Sequence, residues 1–281
     1  MFKIGVHSGT FHADDLIFCA LVEYEKQLKN HTILRTRDEN QLKQCDIVGD
    51  VGMVYNGINR FDHHQNDVPY YDNGIKMAAC GLYLQHMKSL SQEEKSYILE
   101  NALYAVQAQD NGQNLDNLGL KLMNHPFSFA GVMNQDWKTG VNGQEQTRAF
   151  FKALEITRNV LHNLIRNAKL DSEAKTQTQQ AFDKRTDGIV ELSTYCPWTA
   201  QVIELNRTTD DKATIVLFTD TTKQWSIQVV PKEIGNFEAW VNIPESVEKL
   251  NGFIFRHKAA FLAKFTDHES ALQAAKLTIQ Q

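Results

Sequence analysis

The chain has 281 residues, 42% hydrophobic and 22% charged, with 5 prolines and a formal net charge of −5. That length accommodates about two domains, and so ordinary a composition excludes a disordered, collagen-like or membrane-spanning chain. The negative balance argues against a surface given over entirely to nucleic acid, while leaving room for a local basic groove.

In chain order, Phe2 to Val6 reads as a strand, and Leu16, Ile17, Cys19, Ala20, Leu21 and Tyr24 mark one face of a helix. Thr32 to Thr36 and Asp46 to Val51 read as further strands, and helices are expected over Ile75 to Met87 and Gln92 to Gln109. Such alternation implies a doubly wound, mainly parallel sheet covered by helices, with ligands bound at the carboxyl ends of its strands. Asn142 with Glu145 three residues on forms a capping-box pattern. It opens a helix carrying Phe150, Ala153, Leu154, Val160, Leu161, Leu164 and Ile165 at near-helical spacing. Lys169 to Arg185 is polar and reads as either an exposed helix or a linker.

From Gly188 the texture turns β-like, with Ile189 to Leu192, Thr214 to Thr219, Gln224 to Val230 and Gly252 to Phe255 as strands. A DTTK turn joins the second and third as a hairpin, and Ser270 to Ile279 reads as a closing helix. The expected organisation is therefore a catalytic domain over 1–185 and a smaller α+β domain over 186–281. Cys19, Cys45, Cys80 and Cys196 form no CxxC pair and read as buried thiols of a reducing compartment. The chain opens into FKIGV without a basic region and apolar run, so a cytoplasmic location is expected.

The chemistry-bearing residues cluster where strands should end. VHSGTFHADD places His7, His12, Asp14 and Asp15 in the turn before the first helix, and DIVGDVG places Asp50 after the third strand. RFDHHQ adds Asp62, His63 and His64, and QAQDNG adds Asp110. In a strand-like stretch Asp62 and His64 share one side while His63 faces the other. A mixed imidazole and carboxylate set without thiolate suits Mn²⁺, Mg²⁺ or Fe²⁺. With more than four candidate donors, two metals bridged by one carboxylate fit, typically about 3.5–4 Å apart. Asp15 reads more simply as a helix-start acid.

Together, HSGTFHADD, VGDVG, DHH and DNG resemble the DHH phosphoesterase superfamily of exonucleases, family II pyrophosphatases and small-nucleotide phosphodiesterases. More narrowly, GTFHADD, RTRD, CDIVGDVG, RFDHHQ, CPW, QWSIQVVPKE and GFIFRH, in this order across essentially the whole chain, resemble the melanocyte-proliferating-gene (MYG) family. The resemblance implies metal ligands at His7, His12, Asp14, Asp50, His63 and Asp110, with Asp50 bridging two cations, Mn²⁺ first and Mg²⁺ second. It implies that His64 faces the phosphate and that Asp62 orients an imidazole. Candidate substrate contacts are Arg35 and Arg37 in RTRD and Lys232, Arg256 and His257 in the second half, with Trp198 or Trp225 to stack a base. Where the family suggests a glycine-rich stretch after the last histidine, this chain has Lys258 to Ala263.

The function implied is phosphodiester hydrolysis by a 3′-to-5′ exonuclease on single-stranded RNA, with DNA also considered. Two other readings stay open: a phosphohydrolase for pyrophosphate or short oligonucleotides, and a non-catalytic nucleic-acid or metabolite binding protein. A homodimer is compatible with the sequence, and no membrane partner is expected.

Overall fold

The computed structural model describes residues 1–120, 126–135, 143–236 and 238–280. The chain divides into two compact units, Met1–Lys169 and Leu170–Gln281. The division falls inside a helix, ahead of the change to β-like texture near residue 186.

The first unit is built on a four-stranded sheet, β1 (Phe2–Val6), β2 (His31–Arg35), β3 (Ile47–Gly49) and β4 (Arg60–Phe61), in the order β2-β1-β3-β4. Every pair in it is parallel, with Ile4 opposite Ile33 on one side and Ile47 on the other. The chain leaves β1 for β2, then crosses back to β3 on the opposite side of β1, which opens a crevice beyond the carboxyl ends of β1 and β3. His7 follows β1 directly and Asp50 follows β3 directly, so the topology delivers both to that crevice.

One face of the sheet carries the large core. Helix α1 (Ala13–Lys26) buries every residue from Asp14 to Val22, which makes it a central helix and not a surface one. Around it pack α3 (Ala79–His86), α4 (Gln92–Ile98) and α5 (Tyr104–Asp110), with a π-helical turn at Leu99–Leu103 between the last two. The other face is covered by a single turn, α2 (Glu39–Leu42), over a small cluster of Leu42, Cys45, Val48 and Val51. A short α6 (Phe129–Met133) follows.

Helix α7 (Gln144–Asp183) includes the polar stretch 169–183 left open between helix and linker. Asn142, expected to cap it, lies outside the described residues. Its residues Phe150, Ala153, Leu154, Leu161 and Ile165 join the first core, and Ala174 and Phe182 the second. Arg158 on α7 grips Glu23 of α1 through two nitrogens at 2.7 Å, and His31 of β2 approaches the same carboxylate at 2.7 Å. This pairing satisfies a mostly buried acid.

The second unit is a five-stranded sheet of β5 (Ile189–Leu192), β6 (Ile215–Thr219), β7 (Trp225–Val229), β8 (Phe253–Arg256) and β9 (Leu262–Phe265), in the order β5-β6-β7-β9-β8. β5 and β6 are parallel and the remaining pairs antiparallel, including the β6–β7 hairpin around Asp220–Lys223. Alternate residues of β6 serve two cores: Val216 and Phe218 pack with Trp198, Val202 and Ile203 beside α8 (Thr199–Arg207). Ile215 and Leu217 pack with Ala271, Ala274 and Ala275 of α9 (His268–Ile279). The mixed α/β architecture, a parallel sheet followed by a smaller α+β unit, is the expected fold class.

Gly49, the last residue of β3, lets α1 lie close on the sheet: a Cβ there would sit 2.5 Å from the Phe18 ring. Phe18 is fully buried and has no room to yield. Gly49→Ala is expected to destabilise the protein by about 1–3 kcal/mol through overpacking, read as a lower urea midpoint with an unchanged slope.

Candidate metal centre

Residues from five segments converge beyond the carboxyl edge of the parallel sheet. The loop after β1 supplies His7, and the N-cap of α1 supplies His12. Asp14 and Asp15 lie in the first turn of α1, Asp50 at the end of β3, Asp62 to His64 just past β4, and Asp110 at the end of α5.

Their side chains form a continuous alternation of imidazole and carboxylate. His7 Nε2 lies 3.0 Å from Asp15 Oδ2 and 3.2 Å from Asp50 Oδ2. The other Asp50 oxygen is 3.0 Å from His63 Nε2, which is also 3.0 Å from Asp110 Oδ2, and Asp110 Oδ1 is 3.1 Å from His12 Nδ1. Three donor groups result, each with its ligand atoms within 4.8 Å of one another: His7, His12 and Asp50; Asp14, Asp50, His63 and Asp110; and Asp50, His63 and His64. Asp50 belongs to all three.

The supporting contacts aim these groups. Asp14 accepts from the backbone N–H groups of Ala79 and Cys80, the first two residues of α3. Asp62 is buried, and its Oδ1 accepts from the His63 and His64 backbone N–H groups and lies 2.6 Å from His64 Nδ1. That contact leaves His64 Nε2 free, on a side chain 53% exposed. Asn111 Nδ2 donates to the Lys76 and Gln107 carbonyls, which fixes its amide so that Oδ1 accepts from His63 Nδ1 at 3.1 Å. His63 must then carry its neutral-form proton on Nδ1, leaving the Nε2 lone pair for a cation.

The electrostatics ask for positive charge. Burial, reinforced by Asp110 and Asp50, pushes the Asp14 carboxyl up to about 8 despite its two backbone donors. Burial works against a charged His7, yet Asp15 and Asp50 outweigh it and raise the imidazole to about 10. His63 is likewise penalised by burial and raised by Asp110 and Asp50 to about 11. Asp50, held against burial by His63 and His7, is lowered. Protonated imidazoles thus neutralise the carboxylates where a cation would, and cation uptake must release those protons.

The donors fit a divalent cation on a further observation. Asp15 Oδ2 and Asp50 Oδ2 are buried with no well-directed hydrogen bond among the described residues, both crowded on His7 Nε2 at 3.0 and 3.2 Å, an arrangement that a cation would relieve. Cys80 adjoins Asp14, but burial, reinforced by the Asp14 charge, raises its thiol well above the usual range. The donor set is therefore imidazole and carboxylate, suited to Mn²⁺, Mg²⁺ or Fe²⁺.

The remaining candidates divide between the units. Arg37 Nη2 lies 3.3 Å from His7 Nδ1, and Arg37 lines a cavity of about 310 Å³ with His7, His12, Asp50 and His64. Arg35 is turned differently: it lies 4.6 Å over the Phe150 ring and donates to the Gly9 carbonyl, supporting the His7 loop from behind. In the second unit, Lys232 pairs with Glu238 at 2.6 Å and Arg256 donates to the Ile243 carbonyl at 2.9 Å. His257 Nδ1 accepts from Ala259 N–H. Trp198 is 1% exposed and belongs to the core, so it offers no stacking face, while Trp225 meets the His268 ring edge-on. In the stretch without glycine, Ala260 takes φ +55°, the left-handed region that glycine favours.

Two residues of the centre lay outside the sequence reading of ligands. Asp15 does serve the helix start, accepting from His12 N–H at 3.1 Å, but its second oxygen faces His7. Asn111 was hidden because an Asn before Gly reads first as a turn.

A parallel-sheet α/β protein with the Asp-His-His signature among its convergent donors is thereby defined. The model of the MYG1 exonuclease family, described as Uncharacterised protein family (UPF0160), matches residues 3–279, and the chain belongs to that family. The chain is 30% identical to the MYG1 exonuclease of Mus musculus, over 99% of this chain and 85% of that one. Against the MYG1 protein of Chlamydia muridarum it is 28% identical, with 99% and 97% covered. A RecJ structure from Thermus thermophilus in complex with Mn²⁺ matches 99% of this chain and 51% of that one, at 12% identity and a TM-score of 0.30. The chain thus spans about half of that protein, and so weak an overlap leaves the site to be read from this chain's own geometry.

Asn111→Ala should free the His63 ring and weaken divalent-cation affinity about 10–100-fold. Calorimetric titration with Mn²⁺ checks this; unchanged affinity would remove Asn111 from the centre.

Proposed function

We propose that the protein is a divalent-metal-dependent phosphodiesterase, acting as a 3′-to-5′ exonuclease on single-stranded RNA. The observation that carries the hydrolase reading is the pair of donor groups, His7 with His12 and Asp14 with His63 and Asp110, that share the single carboxylate Asp50. One shared carboxylate between two such groups suits two cations, with Mn²⁺ preferred. Exonuclease action is supported by family membership and by the names of relatives such as the murine MYG1 exonuclease, while the choice of RNA rests on the sequence resemblance alone. A cytoplasmic site of action suits four free cysteines, all buried.

Bound divalent cations supply electrophilic stabilisation of phosphate oxygens and lower the pKa of water. The chain's own residues supply the rest. Arg37 and the His64 Nε2 edge present positive charge to the phosphate in the cavity beside His7. Asp62 holds His64 by Nδ1 and raises its pKa, so the ring offers an N–H at Nε2. As the P–O bond breaks, that proton passes to the leaving oxygen. Ser8 and Gly9 carbonyls, held by Arg37 and Arg35, fix the loop that carries His7.

End-labelled single-stranded RNA and DNA incubated with Mn²⁺ are expected to give a ladder with RNA that chelator abolishes. Asp14→Ala and His63→Ala should each lower the rate by about 10²–10³-fold or more. Shortening from the 3′ end gives the stated polarity. A chelator-resistant ladder overturns the metal reading, and hydrolysis of pyrophosphate without any ladder replaces the polymer substrate by a small one.

A further inference from the structure

The donors of the metal centre are not held equally. The His7 and His63 side chains are 4% exposed and fixed by what packs on them, and His64, though half exposed, is held at Nδ1 by Asp62. The His12 side chain is 56% exposed and lies 3.1 Å from Asp110, itself a donor of the centre. Packing alone does not place this imidazole, so its position follows from where the backbone of residues 11 and 12 is put.

The loop leading to His12 is held by side chains. Among the described residues no backbone–backbone hydrogen bond ties Ser8, Gly9, Thr10 or Phe11. Asn134, which follows α6, meets both polar groups of Phe11 as a neighbouring strand would. Phe11 N–H donates to Asn134 Oδ1 at 2.9 Å, and Asn134 Nδ2 donates to the Phe11 carbonyl at 2.8 Å. Nδ2 also donates to the Ala130 carbonyl at 3.1 Å, and Oδ1 also accepts from Gln146 Nε2. Both donor hydrogens and both acceptor positions of the amide are then in use, and reversing it would set N–H against N–H and oxygen against carbonyl. Gln146, 1% exposed on α7, is fixed in turn by accepting from Gln135 N–H at 2.8 Å, and it donates to the Gly9 carbonyl at 3.2 Å. These amides pin the loop at Gly9 and at Phe11, the residue before His12.

On the two-cation reading of the centre, we propose that Asn134 is a positioning residue that holds His12 within reach of the cation it shares with His7 and Asp50. None of the contacts of the Asn134 amide is to a donor of the centre. It acts through the Phe11 backbone, which carries the His12 ring on the next residue. The donors Asp14, His63 and Asp110 come from α1, the segment past β4 and α5, so removing the Asn134 amide leaves them in place.

Calorimetric titration of the full chain with Mn²⁺ tests this in a cycle of wild type, Asn134→Ala, His12→Ala and the double variant. Asn134→Ala should weaken one of the two ions about 10–100-fold and leave the other within about twofold of the wild type. In the His12→Ala background the same change should cost no further affinity, because the ring it positions is gone. Asn134→Asp keeps the Phe11 N–H contact and should show a smaller loss with the same dependence on His12, which serves if the alanine variant does not fold. Unchanged Mn²⁺ binding, a loss of equal size with and without His12, or equal weakening of both ions overturns the positioning role and leaves the metal centre intact. A wild type that binds no Mn²⁺, or one ion only, overturns the two-cation reading and this role with it.

Discussion

The centre depends on one carboxylate with a neighbour on each side. Asp50 presents one oxygen to His7 and the other to His63, and those imidazoles come from segments on different strands. It does so from a left-handed backbone at φ +58°, a conformation that a non-glycine residue adopts at some cost and that Asp tolerates better than most. Its N–H is tied to the Phe61 carbonyl at 3.1 Å, so β4 fixes the turn. The bare Gly49 before it admits Phe18 against the sheet. Moving any of these shifts Asp50 away from both sets of donors at once.

Around that carboxylate the fold sets like charges together and then compensates them. Asp14, Asp15 and Asp50 are buried, and the Asp110 side chain is 7% exposed, an assembly no stable core tolerates without counter-charge. Backbone donors of α3, the imidazoles of His7, His12 and His63, and the site's affinity for a cation are the compensations available.

Much of this was legible in the sequence because each strand-end residue announces itself. The apolar runs of β1, β2 and β3 fall within a residue or two of their expected places, and parallel topology then puts His7 and Asp50 on one edge without further information. The alternation rule paired Asp62 with His64, which are 2.6 Å apart at Oδ1 and Nδ1. Tertiary contacts hid the rest. Asn111 matters only because its amide is oriented by Lys76 and Gln107, residues that no spacing rule associates with it. β9 reads LAKF, without polar–apolar alternation in sequence, and its burial alternates because it fills the place between β7 and β8. Trp198 looks like a stacking residue in sequence, and is core because α8 and β6 close over it.

The proposed sharing of Asp50 between two cation sites has a measurable signature. Mn²⁺ titration of the wild type and of Asp50→Asn, followed by electron paramagnetic resonance, tests it most directly, since asparagine keeps the left-handed turn and removes only the charge. Two ions per chain with a spin-coupled signal, and loss of that coupling with at least one ion in Asp50→Asn, is the predicted result. A single ion in the wild type, or two coupled ions retained in Asp50→Asn, would contradict it.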